Sequence, residues 1–176
     1  MTASIRDIAY QLRQGQLIAL ADETGWSVAA DPTHDAAVLS LLSLRTSLPA
    51  QLQPTVLIQH TDQLGLYVAK VPDVAFDLVE FAENPLIVVY DQGKNLAASA
   101  LADTPTVAVR RSLNPDIQRL IGSFGRGLLT IPFESLSLPP AAESLVAERF
   151  GTLPGMPRWP RIMRLGVNGE VQFIRK

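Results

Sequence analysis

Apolar and polar residues alternate along this chain with two different periods, and the changes of period mark out its elements. Over residues 4–14 the apolar positions Ile5, Ile8, Ala9 and Leu12 recur at helical spacing, Ser4 with Asp7 resembles a capping box, and Gly15 supplies a stop. Short apolar runs at 17–21 and 26–30 read as strands, which puts Asp22, Glu23, Thr24 and Gly25 at the junction between them. Ala37, Leu41 and Leu44, with Val38 and Leu42 beside them, predict a helix over 33–45, followed by a polar loop over 46–53 that contains Pro49. Beyond it the pattern predicts a strand at 55–59, a helical turn at 61–68, and a helix from Pro72 and Asp73 to about Phe81. Strands at 86–90 and 106–110 come next. Asn114 and Pro115 then cap and start a helix over 116–123. The last stretch predicts a strand at 128–131, a helix over 141–150 ended by Gly151, and a closing hairpin of 161–165 with 170–174 turned by Asn168 and Gly169. Strands and helices interleave, and several strand pairs have no helix between them. The expected fold class is therefore α/β: a single domain over residues 1–176 with a twisted mixed β-sheet flanked by helices.

Composition narrows the function classes. A hydrophobic share of 47% with 18% charged residues argues against disorder. No apolar run approaches the roughly 18 residues of a membrane span, no secretory signal opens the chain, and a cytoplasmic address without membrane contact is expected. The chain has no cysteine, which excludes disulfides, thiolate nucleophiles and cysteine-zinc sites. The net charge of −2 is unevenly spread: residues 1–100 carry eleven acids and five bases, residues 101–176 six acids and ten bases. Arg149, Arg158, Arg161, Arg164, Arg175 and Lys176 concentrate the excess near the end, as either a solvated basic tail or a contact surface for phosphates or RNA.

Candidate catalysts are few. His34 and His60 are the only histidines, neither has companions at metal-ligand spacing, and both are expected in turns or at element ends, with no metal site. The run from Gly122 to Gly127 follows a predicted helix and lacks the lysine of a phosphate loop, so it reads as a helix stop feeding a strand. Trp26 and Trp159 read as core or loop packing. Asp22 and Glu23 are adjacent carboxylates that could line a cleft, although neighbours in extended chain point to opposite faces.

The ordered set of segments resembles the YrdC-like family. It runs from Gly15-Gln16-Leu17-Ile18-Ala19-Leu20 through Asp22-Glu23-Thr24, Trp26-Ser27-Val28-Ala29-Ala30-Asp31 and a helix ending at Leu44-Arg45. Pro54-Thr55-Val56-Leu57-Ile58, Asn84-Pro85-Leu86-Ile87-Val88, Thr106-Val107-Ala108-Val109-Arg110 and Phe124-Gly125-Arg126-Gly127-Leu128-Leu129-Thr130 continue it in order. The resemblance implies a sheet holding a broad concave pocket. It also implies an activity, the making of threonylcarbamoyl-adenylate from threonine, bicarbonate and ATP for tRNA modification, and contact with tRNA or double-stranded RNA. Thr24, Arg45 and Arg110 would be the surviving ligand contacts, with Asp22, Glu23 and Glu134 lining the pocket.

Departures from the family pattern fall on the ligand positions. Asp22 stands where the family has a threonine, Arg45-Thr46-Ser47 keeps one cation of a Lys-x-Arg pair, and Pro132-Phe133-Glu134 replaces Ser-Ala-Asn. A late Pro-Ser-Thr-Ile falls near Trp159-Pro160-Arg161-Ile162. A triphosphate needs cations and oriented donors, whereas one like-charge contact at about 4 Å costs roughly 4 kcal/mol at an effective dielectric of 20. No cofactor is implied outright, and ATP is disfavoured. The expected function is a divergent YrdC-like protein that binds RNA or a nucleotide-like ligand. The alternatives are an active synthase, which would be a nucleotidyltransferase, and a non-catalytic interaction module such as a homodimer.

Overall fold

The protein is described by a computed structural model over residues 4–102 and 104–176. Met1, Thr2 and Ala3, which entered the search for a signal, lie outside the described residues. Helix α1 (Ile5–Arg13) starts as expected, with Ser4 Oγ accepting from the Asp7 N–H at 3.2 Å. Strands β1 (Leu17–Asp22) and β2 (Gly25–Ala30) pair antiparallel around a tight turn. Helix α2 (Asp35–Leu42) is shorter than expected. It begins where the His34 ring caps it, Nδ1 accepting from the Ala37 N–H at 3.2 Å, and passes into a 3-10 turn at Ser43–Ser47. Then follow β3 (Thr55–Ile58), α3 (Leu64–Tyr67), α4 (Asp73–Glu80), β4 (Leu86–Tyr90) and β5 (Val107–Arg111). Helix α5 (Pro115–Phe124) is capped by Asn114 and stopped by Gly125 in the left-handed region, the helix stop that the sequence predicts. The chain continues through β6 (Leu128–Pro132), α6 (Pro140–Glu143), β7 (Val146–Gly151), β8 (Arg161–Leu165) and β9 (Val171–Arg175).

One predicted element is wrong. The helix expected over 141–150 ends after a single turn at Glu143, and residues 146–151 form a strand instead. Val146, Glu148 and Phe150 are half-buried while Ala147, Arg149 and Gly151 are exposed, a period of two. The segment supplies β1 with a parallel partner, Leu20 opposite Phe150. Edge pairing and burial of one face outweigh the helical preference of an alanine- and glutamate-rich stretch.

Among the described residues, nine strands form one mixed sheet in the order β7-β1-β2-β6-β3-β5-β4-β8-β9. Its two faces differ. On one, Val28, Val56, Ile58, Val88, Val109 and Ile131 pack against α2, α3 and α4. On the other, Ile18, Leu20, Leu57 and Leu128 pack beneath α1 and α5. Further along that second face lies a small apolar group of Ile87, Val89, Ala108 and Ile162, closed by Leu52 and Ile174. Between these two groups the strand alternation turns polar side chains inward, and they form the candidate site.

Candidate functional site

On the second face, Asp22 follows Ile18 and Leu20 by the two-residue period of β1, and Arg110 follows Ala108 on β5. Three strands lie between β1 and β5. A flat sheet would set them about 19 Å apart, at roughly 4.8 Å per strand. The guanidinium Nη2 of Arg110 nevertheless stands 2.7 Å from Asp22 Oδ2, so the sheet curls and this face is its concave side. Both residues are buried, Arg110 at 4% exposure and Asp22 at 1%.

Asp22 is fully engaged. Its second oxygen accepts from the Thr24 N–H at 2.8 Å and from the Thr24 hydroxyl at 2.7 Å. Glu23 Oε1 takes Arg110 Nη1 at 3.2 Å. The opposite-face expectation for Asp22 and Glu23 does not hold here, because β1 ends at Asp22 and Glu23 belongs to the turn, where the strand alternation no longer applies. Burial alone would pull the Arg110 guanidinium down. The charges of Asp22, Glu23 and Glu134, with the Asp22 hydrogen bond, outweigh it and hold the group above its ordinary value.

Glu134 follows β6 in a left-handed conformation and is itself buried. It receives both terminal nitrogens of Arg175, Nη1 at 2.8 Å on Oε1 and Nη2 on Oε2. Arg175 also donates to the Pro160 carbonyl from Nε at 3.0 Å and Nη2 at 2.8 Å, and lies under the Trp159 ring. The Arg158 N–H donates to the Glu23 carbonyl at 2.7 Å, which ties the 152–160 segment to the same turn. Three carboxylates thus face two guanidiniums, a local balance of −1. On the same face, the Thr130 hydroxyl donates to the Thr55 carbonyl at 2.7 Å, and buried Ser27 Oγ has no partner among the described residues.

Arg45 stands elsewhere. It is exposed on the 3-10 turn after α2 and lines a cavity of about 150 Å³ with Leu42, Pro54, Thr106, Val107 and Leu129; Thr24 and Arg110 are not part of that lining. Of the sequence candidates, the fold therefore brings Asp22, Glu23, Thr24, Arg110 and Glu134 together, and leaves Arg45 apart. Sequence reasoning missed Arg175 as a site residue and counted it only in the basic tail; the unmatched acid at Glu134 was the available signal. Of the two tryptophans expected in core or loop packing, Trp26 is buried in the core, and Trp159, 67% exposed, packs on Arg175 from its loop. Among the described residues no group of three or more His, Asp or Glu side chains could hold a metal ion, and no helix is long and apolar enough to cross a membrane.

Comparison with known proteins agrees with this architecture. The chain is 26% identical over 150 residues to a threonylcarbamoyl-AMP synthase of Halorhodospira halophila, covering 84% of this chain and 78% of the relative. E. coli YciO superposes with a TM-score of 0.74 at 20% identity, over 98% of this chain and 88% of YciO. P. abyssi Sua5 complexed with L-threonine gives 0.73 at 23% identity, over 92% of this chain, which spans only 50% of that longer protein. At these identities the two structures establish the fold alone. The family model for Sua5, YciO and YrdC proteins, described as "Telomere recombination", matches residues 10–144. With that match over most of its length, the chain belongs to the Sua5/YciO/YrdC family.

Proposed function

We propose that this chain is a YrdC-like protein, related to tRNA threonylcarbamoyladenosine synthesis, whose ATP and threonine site has closed on itself. The observation that carries this reading is the 2.7 Å contact between Arg110 and Asp22, with both groups almost fully buried. A triphosphate reaching Arg110 must displace that carboxylate. Stripping one partner from a buried pair costs about 3–5 kcal/mol, which weakens binding by a factor of roughly a hundred to several thousand. The surplus negative charge of the cluster adds to the cost. The residues present do not fit ATP, and no catalytic step through it follows. The decisive measurement is pyrophosphate release from ATP with threonine and bicarbonate, together with calorimetric titration of ATP. Native protein is expected to match the buffer blank, and Asp22→Thr to gain measurable ATP affinity. Threonine-dependent pyrophosphate release by the native chain would establish the active-synthase alternative instead.

A second reading, binding of tRNA or double-stranded RNA, draws support from the exposed Trp159, which has Arg175 beneath its ring and exposed Arg158 and Arg161 beside it in sequence. An aromatic face among cations suits base stacking and phosphate contact. Titration of tRNA and of an RNA duplex should give affinity that falls steeply with salt and drops on Trp159→Ala. Absence of binding at low salt removes this reading and leaves the first untouched.

A further inference from the structure

The segment over residues 152–160 joins β7, at one end of the strand order, to β8, next to the other end. It has no regular structure, and Pro154, Pro157 and Pro160 within it carry no N–H to donate. Among the described residues, the main-chain bond that ties it to the rest of the fold runs from the Arg158 N–H to the Glu23 carbonyl, at 2.7 Å. Three residues later the chain is fixed again. There the Arg161 N–H donates to the Pro85 carbonyl at 3.2 Å, at the start of β8.

Those two anchors belong to distant parts of the sheet. Glu23 follows β1, Pro85 precedes β4, and four strands lie between β1 and β4. On a flat sheet they would stand about 24 Å apart, at roughly 4.8 Å per strand step. Three residues reach at most about 11 Å. Residues 158–161 are therefore a chord across the curl, and a chord lies on the concave side. Its ends flank the buried pair described above. Glu23 follows Asp22, and Ile87, two residues after Pro85, stands opposite Arg110 on β5.

Side chains, more than a ladder, hold this chord down. Arg175, while it binds Glu134, donates to the Pro160 carbonyl from Nε at 3.0 Å and from Nη2 at 2.8 Å. Arg158 Nη2 donates to Asn84 Oδ1. Pro160 is buried beneath these contacts, whereas Met156, Arg158 and Trp159 are exposed. A segment with few buried apolar side chains and few main-chain bonds belongs to the low end of local stability. The geometry points to a clasp: residues 158–160 open as a local unit and gate the concave face, with Arg175 and Asn84 as the two latches. This inference is independent of whether that face binds ATP, RNA or neither.

The chain has no cysteine, so a single introduced thiol reports access. Ser27, 1% exposed on the concave face and opposite Leu20 of β1, takes it as Ser27→Cys. Its reaction with dithionitrobenzoate is followed in urea below the unfolding transition. Labelling should be slow and nearly independent of urea, because a local opening exposes little surface. Asn84→Ala, at an exposed position, should speed it by about three- to tenfold, the worth of one hydrogen bond, with the urea midpoint unchanged. A general loss of stability would not separate the two. Glu134→Gln combined with Arg175→Met, which strands no charge, should speed it further. Hydrogen exchange checks the chain without the thiol: the Arg158 N–H should exchange faster in Asn84→Ala while the amides of β3 keep their rates. Labelling that follows global unfolding along the urea series overturns the inference. So does a native fold that labels as fast as the unfolded chain, or a rate and an Arg158 exchange that Asn84→Ala leaves unchanged.

Discussion

Replacing Asp22 by alanine removes three contacts at once: the 2.7 Å pair with Arg110 and the two bonds from Thr24 at 2.8 and 2.7 Å. Glu23 remains on the other guanidinium nitrogen at 3.2 Å, so Arg110 keeps one partner and loses the closer one. Breaking a buried ion pair from one side costs about 3–5 kcal/mol, because the surviving charge stays in a poor solvent. For a chain of this size each kcal/mol shifts the melting temperature by about 2–4 °C, so a fall of roughly 6–20 °C is expected. Urea unfolding followed by fluorescence and by circular dichroism gives the free energy, and coincident transitions check that it is two-state. The cost should be nearly the same in low and high salt, since ions screen buried pairs weakly. Arg110→Met should also destabilise, and the double variant Asp22→Ala with Arg110→Met should be less damaging than the sum of the two, because neither charge is left stranded. A loss below about 1 kcal/mol for Asp22→Ala, in the range of solvent-exposed pairs, would refute the reasoning. Arg110 would then be held loosely enough for an incoming phosphate to take it.

Two further outcomes follow from the packing. At Gly151, in a left-handed conformation, a Cβ would sit 2.2 Å from the Ala21 carbonyl oxygen, a backbone atom that β1 holds in place; at Gly125, equally left-handed, it would meet nothing within 4 Å. Gly125→Ala should therefore cost about 1–2 kcal/mol for the backbone alone, and Gly151→Ala clearly more, read from their urea midpoints. Burial lifts Tyr67, although the Gly127 N–H and Arg126 pull against it, and burial lifts Tyr90, whose hydroxyl has no partner among the described residues. A raised tyrosine favours its neutral form in the fold, so its contribution is complete below the unfolded value of about 10 and is lost as pH climbs through the folded one. Stability should decline above about pH 10, with tyrosinate absorbance from these two rings rising only as the protein unfolds; ionisation of both in the folded state would contradict this.

Eight of the nine strands and the capped ends of α1 and α5 were legible because their signals are local. Ser4 and Asn114 bond N–H groups within three residues, and the apolar runs at 55–58, 86–90 and 128–132 are short and continuous. Strand β7 was not legible. Its residues prefer a helix, and only the unpaired margin of β1, which lies about 130 residues earlier in the sequence, makes an extended form better. The site divides in the same way. Asp22 and Glu23 stood out as adjacent carboxylates at a strand junction and Arg110 only through the family resemblance, but their meeting depends on a sheet curled across three intervening strands, which no local pattern encodes.

That meeting changes what the departures from the family pattern mean. An acid introduced at a buried position without a partner costs several kcal/mol, enough to unfold a domain of ordinary stability. Here the buried acids Asp22 and Glu134, which the resemblance sets at neutral positions, each have an arginine. Asp22 holds Arg110 from β5, and Glu134 holds Arg175 from β9. The second arginine lies beyond the matched residues 10–144, on the end strand β9. The fold therefore does not merely tolerate these two carboxylates. They occupy cations that face the concave side, and Glu134 ties the C-terminal strand β9 to the end of β6. On the proposed reading, the network that takes Arg110 away from a phosphate also ties β9 to the end of β6 through Glu134 and Arg175.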